Sequence, residues 1–137
     1  MPKKDYFHDT VCSALIKDGW KITDDPLTIK FEDTEYFVDL GAERLIAAEK
    51  GTEKIAVEIK SFLQESLATE LHLVSGQIAN YRLALADAGI ERKLYLAVTN
   101  LAYQKINSKR FAKRIIEYNQ IDMIVVDSIT EEVVQWF

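Results

Sequence analysis

Apolar residues recur with the period of an α-helix near the start of the chain. Within residues 5–17, the apolar side chains that would share one helix face are Phe7, Val11, Ala14 and Leu15. Their i, i+4, i+7, i+8 spacing is typical of an amphipathic helix. Gly19 follows at a position where helices commonly end. The pattern predicts a first helix over residues 5–17.

A longer segment, residues 66–88, alternates spacings of four and three between apolar positions and ends before Gly89. The apolar positions are Leu67, Leu71, Val74, Ile78, Tyr81 and Leu85. This spacing predicts a long amphipathic helix. Gly76 lies inside the segment and indicates a kink or a close packing contact.

Between these helices the chain has short runs typical of β-strands. LTIKF and EYFVDL are separated by Glu-Asp-Thr, which predicts a hairpin entered at Pro26. RLIAAEKGTEKIAVEIKSF predicts a second hairpin that turns at Lys50 and Gly51, with Gly41 ending the preceding strand. The second half of the chain predicts a buried strand, KLYLAVTN, a helix from about Leu101 to Tyr118, and two final strands, DMIVVDSI and EVVQWF. The resulting fold class is α/β (α+β), with a mixed sheet flanked by helices in one domain, residues 1–137.

Composition narrows the class of protein. The chain has 137 residues, 48% of them hydrophobic, and a net charge of −5, as expected of a globular protein that does not bind nucleic acid indiscriminately. No apolar run is long enough to span a membrane, and MPKKDYFHD lacks the apolar core of a signal peptide. Cys12 is the only cysteine, which fits packing in a reducing compartment. We therefore expect a cytoplasmic protein that does not contact membranes.

One basic segment interrupts the acidic chain. Residues 105–114, KINSKRFAKR, carry five positive charges and no acid: Lys105, Lys109, Arg110, Lys113 and Arg114. On one helix, positions 105, 109 and 113 would form a basic stripe. A solvated helix face and a surface that contacts phosphates both fit this pattern.

The strand KIAVEIKSF contains the first candidate site residues. Because side chains alternate along a strand, Ala56, Glu58 and Lys60 share one face, with Glu58 and Lys60 about 7 Å apart. Spacing alone favours a solvated polar face with a weak ion pair. The regular hairpin predicted above pairs Glu43 with Glu58, so Asp39 would need a bend at residues 40–41 to reach Glu58.

Asp39 changes this interpretation, because it is an acid at the end of a run suited to burial. Buried carboxylates need a partner or a metal. Asp39 and Glu58 together could hold Mg²⁺, which prefers oxygen ligands and can activate water for phosphodiester hydrolysis. Lys60 suits the same chemistry, because an ammonium can position the water or neutralise the charge on phosphorus. Asp39 as a simple turn residue is the alternative.

No other chemistry competes with this candidate. His8 and His72 lack cysteine or histidine neighbours at metal-ligand spacing, which argues against zinc. No arrangement of serine, cysteine and histidine predicts covalent catalysis, and no glycine-rich loop predicts nucleotide binding.

In the long helix, Gln77 and Tyr81 are four residues apart and share one face. The order Asp39, Glu58-Ile59-Lys60, and then QIANY on a helix resembles the PD-(D/E)xK nuclease superfamily and the QxxxY motif of its RecB-like members. The resemblance covers residues 5 to about 100 and implies a restriction-endonuclease-like αβββαβ core.

The resemblance also implies residue roles. Asp39, Glu58 and the backbone carbonyl of Ile59 would bind Mg²⁺ or Mn²⁺, and Lys60 would assist the nucleophile. Gln77 and Tyr81 would support the site. Val38 stands where the superfamily usually has proline. Some relatives add an acid from the first helix, here Asp9 or Asp5, although both acids also suit a helix N-terminus.

At full length the chain resembles the XisH family of fdxN element excision controlling factors from cyanobacteria. The segments concerned are DYFHDTVCSALIKDGWKITDDPLTIKFE, DLGAERLIAAEKG, VEIKSF, GQIANYRLAL, LYLAV and EEVVQWF. The family implies a role in DNA rearrangement, commonly beside a small XisI partner. We expect either a metal-dependent DNA endonuclease or a non-catalytic nuclease-like factor that binds DNA, a recombinase or an XisI-like protein. A homodimer would let a small nuclease address two strands.

Overall fold

The computed structural model describes residues 4–47, 51–63 and 66–137. The helices are α1 (His8–Lys17), α2 (Leu67–Asp87), α3 (Asn100–Asn107) and α4 (Arg110–Tyr118). The strands are β1 (Lys21–Asp24), β2 (Leu27–Phe31), β3 (Thr34–Val38), β4 (Leu40–Ala47), β5 (Gly51–Ile59), β6 (Lys93–Thr99), β7 (Asp122–Asp127) and β8 (Glu132–Trp136). No helix in these ranges is both long and apolar enough to cross a membrane.

Six strands form one mixed sheet in the order β1-β4-β5-β6-β7-β8, and β2 and β3 form a separate hairpin. The pairs β5/β6 and β6/β7 are parallel, and the other neighbours in the sheet are antiparallel. The helix α2 connects β5 to β6, as parallel pairing requires a crossover. The predicted α+β class, a mixed sheet flanked by helices, is confirmed.

The two faces of the sheet bury two separate cores. Along β5, Ala56 belongs to the core that also contains α2, α3, α4 and the β2/β3 hairpin. Its neighbours Ile55 and Val57 belong to the core that contains α1. This alternation confirms the predicted division of the strand into two faces. Glu58 therefore lies on the face covered by α2.

Both predicted amphipathic helices are present. The helix α1 begins three residues later than predicted, and Gly19 follows it with a φ of 94°. Ser66 caps α2, where its hydroxyl accepts a hydrogen bond from the Thr69 N–H at 3.1 Å. All six apolar positions predicted for the long helix are buried. Local periodicity was sufficient here because each helix packs one continuous stripe against the sheet.

Two predictions about the chain path are wrong, and one strand was not predicted. The basic segment does not lie on one helix, because Lys109 has extended backbone angles (φ −119°, ψ 123°) and separates α3 from α4. Strand β1 was not predicted, and it pairs with β4. Gly41 lies inside β4 and does not end the preceding strand, since the break between β3 and β4 falls at Asp39.

The predicted pairing of the second hairpin is also wrong. Glu43 pairs with Lys54, and Leu40 pairs with Val57. The strands pair Ala47 with Gly51 at their ends, and an irregularity before Ala47 changes the register. The observed register is four residues from the one predicted for a turn at Lys50 and Gly51, and Lys50 lies outside the described residues. Continued beyond Leu40, this register brings Asp39 opposite Glu58.

Gly76 makes no close contact, so the close-packing alternative predicted for it is wrong. It is exposed on α2, and a Cβ added there would meet no atom within 4 Å. We expect Gly76→Ala to stabilise the protein by about 1 kcal/mol, because alanine restricts the unfolded chain and favours helix. Urea unfolding measures this change.

The matched control is Gly89→Ala, which also places a methyl group in open space but at a φ of +68°. We expect this variant to lose about 1 kcal/mol, because alanine is strained in the left-handed region. Equal changes in the free energy of unfolding for the two variants would contradict the helical backbone at Gly76 and the left-handed backbone at Gly89.

Candidate metal-binding site

Two acidic side chains meet where the β2/β3 hairpin joins the main sheet. Asp39 lies between β3 and β4, and Glu58 is the penultimate residue of β5. The Asp39 carboxylate accepts a hydrogen bond from the Ile59 N–H at 2.7 Å, and the Glu58 carboxylate accepts one from the Asp39 N–H at 3.3 Å. The structure thus brings together the two acids that the sequence singled out.

Glu58 is not part of a solvated polar face. Its side chain is on the face covered by α2, and the residue is only 7% exposed. Burial raises the pKa of Glu58 from 4.5 to about 9, with the nearby Asp39 charge as the second cause. Burial also raises the pKa of Asp39, although the hydrogen bond from the Ile59 N–H opposes this shift. At neutral pH the metal-free pair therefore retains a proton on Glu58.

Lys60 follows directly after β5 and is half-buried. Its backbone N–H donates to the Ala97 carbonyl at 3.1 Å, which continues the parallel pairing with β6. Its positive charge lowers the pKa of Glu58, so the ammonium acts on the acidic pair. In the described part of the chain, no hydrogen bond or ion pair occupies the ammonium group.

Tyr81 and Gln77 reach this region from α2 to different degrees. The Tyr81 hydroxyl donates to the Phe37 carbonyl at 3.4 Å. Burial raises the pKa of Tyr81, and the charges of Glu58 and Asp39 add to the shift, so this side chain lies beside the pair. The Gln77 Oε1 atom is buried and accepts no hydrogen bond from any described residue. Gln77 makes no hydrogen bond to the acidic pair.

A third acid enters from the chain before α1. The Asp5 carboxylate accepts a hydrogen bond from the Ser61 N–H at 3.0 Å, and its charge raises the pKa of Asp39. Asp9 is exposed on α1, and its charge acts on Cys12. Of the two acids considered, Asp5 is thus the one placed to act on Asp39, and Glu43 pairs with Lys54 and not with Glu58. Sequence spacing could not make this choice, because it depends on how α1 packs.

The five basic residues of segment 105–114 are divided between α3, α4 and the link that joins these helices. The Lys105 ammonium donates to the Phe62 carbonyl at 3.0 Å, while Lys109 precedes α4. Arg110, Lys113 and Arg114 line one open groove on α4 together with Glu117. Three of the five predicted cations thus form a shared exposed surface, and the continuous stripe does not exist.

The acidic pair suits a divalent cation with oxygen ligands. Two neighbouring buried carboxylates cannot both ionise cheaply, and either a proton or a cation relieves their repulsion. Carboxylate oxygens are also the ligands that Mg²⁺ and Mn²⁺ accept. Asp39 and Glu58 therefore fit the metal that the sequence predicted.

Fold and site define an α+β protein with a buried acidic pair at the end of a central strand. A sequence model of the XisH family, described as XisH protein, matches residues 1–134. The chain belongs to the XisH family. Comparison with curated proteins gives no match.

Two solved structures share the fold along nearly the whole chain. One is described as an XisH family protein from Nostoc punctiforme PCC 73102. It is 44% identical, with a TM-score of 0.86 and coverage of 97% of this chain and 99% of that chain. The other is described as a fdxN element excision controlling factor protein from Anabaena variabilis. It is 46% identical, with a TM-score of 0.85 and coverage of 97% and 98%.

The raised pKa of Glu58 predicts how stability depends on pH. Between pH 4.5 and about 9, folded Glu58 holds a proton that the unfolded chain has released. The contribution of Glu58 to stability therefore falls as pH rises through this range. With chelator present, we expect Glu58→Gln to exceed the wild type in free energy of unfolding by at least about 1 kcal/mol at pH 8. The difference should shrink towards pH 5.

Urea unfolding at several pH values measures this difference. Glu43→Gln is the matched control, because Glu43 lies on β4 away from the pair, and its difference from the wild type should stay constant with pH. Parallel stability curves for Glu58→Gln and the wild type would contradict the raised pKa.

Proposed function

We propose that this XisH family protein is a metal-dependent DNA endonuclease of the PD-(D/E)xK type. The observation that carries the proposal is the buried Asp39 and Glu58 pair, with Lys60 two residues after Glu58, directly beyond the end of β5. The relative from Anabaena variabilis is described as a fdxN element excision controlling factor, and excision requires DNA strands to be cut. The proposed role is phosphodiester hydrolysis during, or in control of, such a rearrangement.

The residues of the proposed site have separate roles, as metal ligands or as a cation beside the phosphate. Asp39, Glu58 and the Ile59 carbonyl would hold Mg²⁺ or Mn²⁺. The bound ion supplies charge neutralisation at the phosphate and acidifies water. Lys60 is the group positioned to orient the attacking water or offset charge on the phosphate oxygens, because its ammonium acts on the pair without an ion-pair partner in the described ranges. To serve as a ligand, Glu58 would have to release its proton.

Neighbouring groups position the pair. Tyr81 covers it from α2 and donates to the Phe37 carbonyl just before Asp39. Gln77, one helical turn earlier, has a buried Oε1 free to accept a hydrogen bond from substrate or water. Asp5 holds the chain after Lys60 through the Ser61 N–H. These are supporting roles, since none of the three residues belongs to the acidic pair.

The α4 groove is the proposed contact for the DNA backbone. Arg110, Lys113 and Arg114 offer exposed cations on an otherwise acidic protein, and such contacts are largely independent of sequence. Lys109 directly precedes Arg110 at the start of α4, whereas the Lys105 ammonium donates to the Phe62 carbonyl and lines a different pocket. A second copy of the chain is one proposed partner, because one acidic pair addresses one DNA strand. The other proposed partners are an XisI-like protein and a recombinase.

We expect purified protein to cleave DNA only with Mg²⁺ or Mn²⁺ present, and Glu58→Ala or Lys60→Ala to lower the rate at least about 100-fold. Removal of Glu58 deletes a metal ligand, and removal of Lys60 deletes the cation beside it. Cleavage of varied plasmid and linear substrates, followed on gels, measures the rate.

Lys54→Ala is the matched control, because Lys54 is an exposed lysine on β5 four residues before Glu58, which places it about 13 Å along the strand from that residue. It should retain the wild-type rate. Cleavage that persists at the wild-type rate in Glu58→Ala would reject the proposed site, because the activity would then not depend on this carboxylate.

A second candidate function is a non-catalytic factor that binds DNA or a protein partner. The observation favouring it is that the acids are already satisfied: the Ile59 and Asp39 N–H groups donate to them, and a proton neutralises Glu58. The pair can thus serve as a structural joint. Absence of Mg²⁺ binding by calorimetry, with tight association to an XisI-like protein, would favour this function.

Both candidate functions use the α4 groove, which allows a separate prediction. We expect Lys113→Ala with Arg114→Ala to weaken DNA binding and to reduce the slope of log affinity against log salt by about 2. Lys30→Ala, an exposed lysine on β2, is the control and should leave the slope unchanged. Fluorescence anisotropy at several salt concentrations measures both. An unchanged slope in the double variant would exclude the groove as a phosphate contact.

A further inference from the structure

Three side chains with different donor atoms meet between α1 and the segment before β2. His8 and Cys12 lie one turn apart on α1, and Asp25 lies between β1 and β2. One ligand atom from each residue lies within 4.8 Å of the other two. His8 Nε2 is 2.8 Å from Asp25 Oδ1. The expectation that His8 has no cysteine neighbour at metal-ligand spacing is wrong, because Cys12 lies one turn away on the same helix; Asp25 joins them only through the fold.

The His8 ring is buried but incompletely satisfied. The residue is 3% exposed, and its Nδ1 atom has no hydrogen-bond partner among the described residues. Buried polar atoms normally have a partner. Asp25 and Cys12 are more accessible than His8, so solvent and ions can approach the group from their side. The cluster therefore combines a buried ring with an open approach.

Covalent chemistry does not explain this cluster. Burial raises the pKa of the Cys12 thiol to about 11, and the charges of Asp25 and Asp9 add to the shift. A thiol that is neutral at pH 7 is a poor nucleophile. A hydrolytic triad is thus excluded as its role, whereas a metal ion can displace the thiol proton directly.

We propose that His8, Cys12 and Asp25 form a binding site for Zn²⁺. One imidazole, one thiolate and one carboxylate are all common zinc ligands, and three protein ligands leave a fourth position for water. The thiolate also separates this site from the Asp39 and Glu58 pair, because Mg²⁺ prefers oxygen ligands. On binding, the ion replaces the Cys12 proton, which passes to solvent.

A metal here would tie the first helix to the segment that leads into the hairpin. The residue three positions before His8 is Asp5, which contacts Ser61 beside the acidic pair. A charge on the His8 ring would also lower the pKa of Asp39, which places the cluster within electrostatic reach of the acidic pair. The zinc site would thus hold α1 in the position that brings Asp5 to Ser61. This role does not depend on whether the acidic pair cleaves DNA.

Cobalt titration of the reduced, metal-free full chain tests the proposal. Thiolate coordination to Co²⁺ gives an intense charge-transfer band, and Cys12 is the only cysteine that can produce it. We expect the band to saturate at one Co²⁺ per chain and to disappear when one equivalent of Zn²⁺ is added. Cys12→Ser should abolish the band, and His8→Gln and Asp25→Asn should each weaken Co²⁺ binding at least tenfold.

Two controls separate this site from other metal binding. His72→Gln removes the other histidine, which is exposed on α2, and Glu58→Gln alters the acidic pair; both should retain the band. Circular dichroism establishes folding, and Asp25→Asn keeps the test valid if His8→Gln does not fold, because Asp25 is near the surface. No band in the wild type, or a band unaffected by Asp25→Asn, would overturn the proposal.

Discussion

The exchange of hydrogen bonds between Asp39 and the end of β5 is the interaction on which this structure depends. The Asp39 N–H donates to the Glu58 carboxylate, and the Ile59 N–H donates to the Asp39 carboxylate. Together these bonds join the β2/β3 hairpin to the main sheet at the point where the chain changes direction. They also hold two acids in a poorly solvated place, where both pKa values rise. The atoms that join the hairpin to the sheet are therefore also the atoms of the candidate metal site.

This coincidence makes the ionic state of the pair central to both proposed functions. With a proton on Glu58 the pair is a satisfied structural element, and with a divalent cation it becomes a ligand set. The cluster of His8, Cys12 and Asp25 differs, because its donors are mixed and its ring is only half satisfied. Asp5 and α1 connect the two regions, so the first helix contributes to both.

Features set by neighbouring residues along the chain could be predicted from the sequence. The apolar stripe of α2 and the two faces of β5 both follow from local periodicity. Asp39 is a candidate because an acid in a run suited to burial requires a partner, and Glu58 is a candidate through the order Asp39, Glu58-Ile59-Lys60 and QIANY. The resemblance to the XisH family came from extended sequence segments and is confirmed by the family match. Metal binding and catalysis stay predictions.

Tertiary structure alone decided how these segments meet. The predicted hairpin register was off by four residues: three arise because the strand ends pair Ala47 with Gly51, and one arises from an irregularity before Ala47 that the residue pattern does not indicate. The packing of α1 also places Asp5 where its charge acts on Asp39 and brings Asp25 to His8. The sequence by itself determined which residues are candidates through local periodicity and charge. Only long-range packing decided which of them share a site.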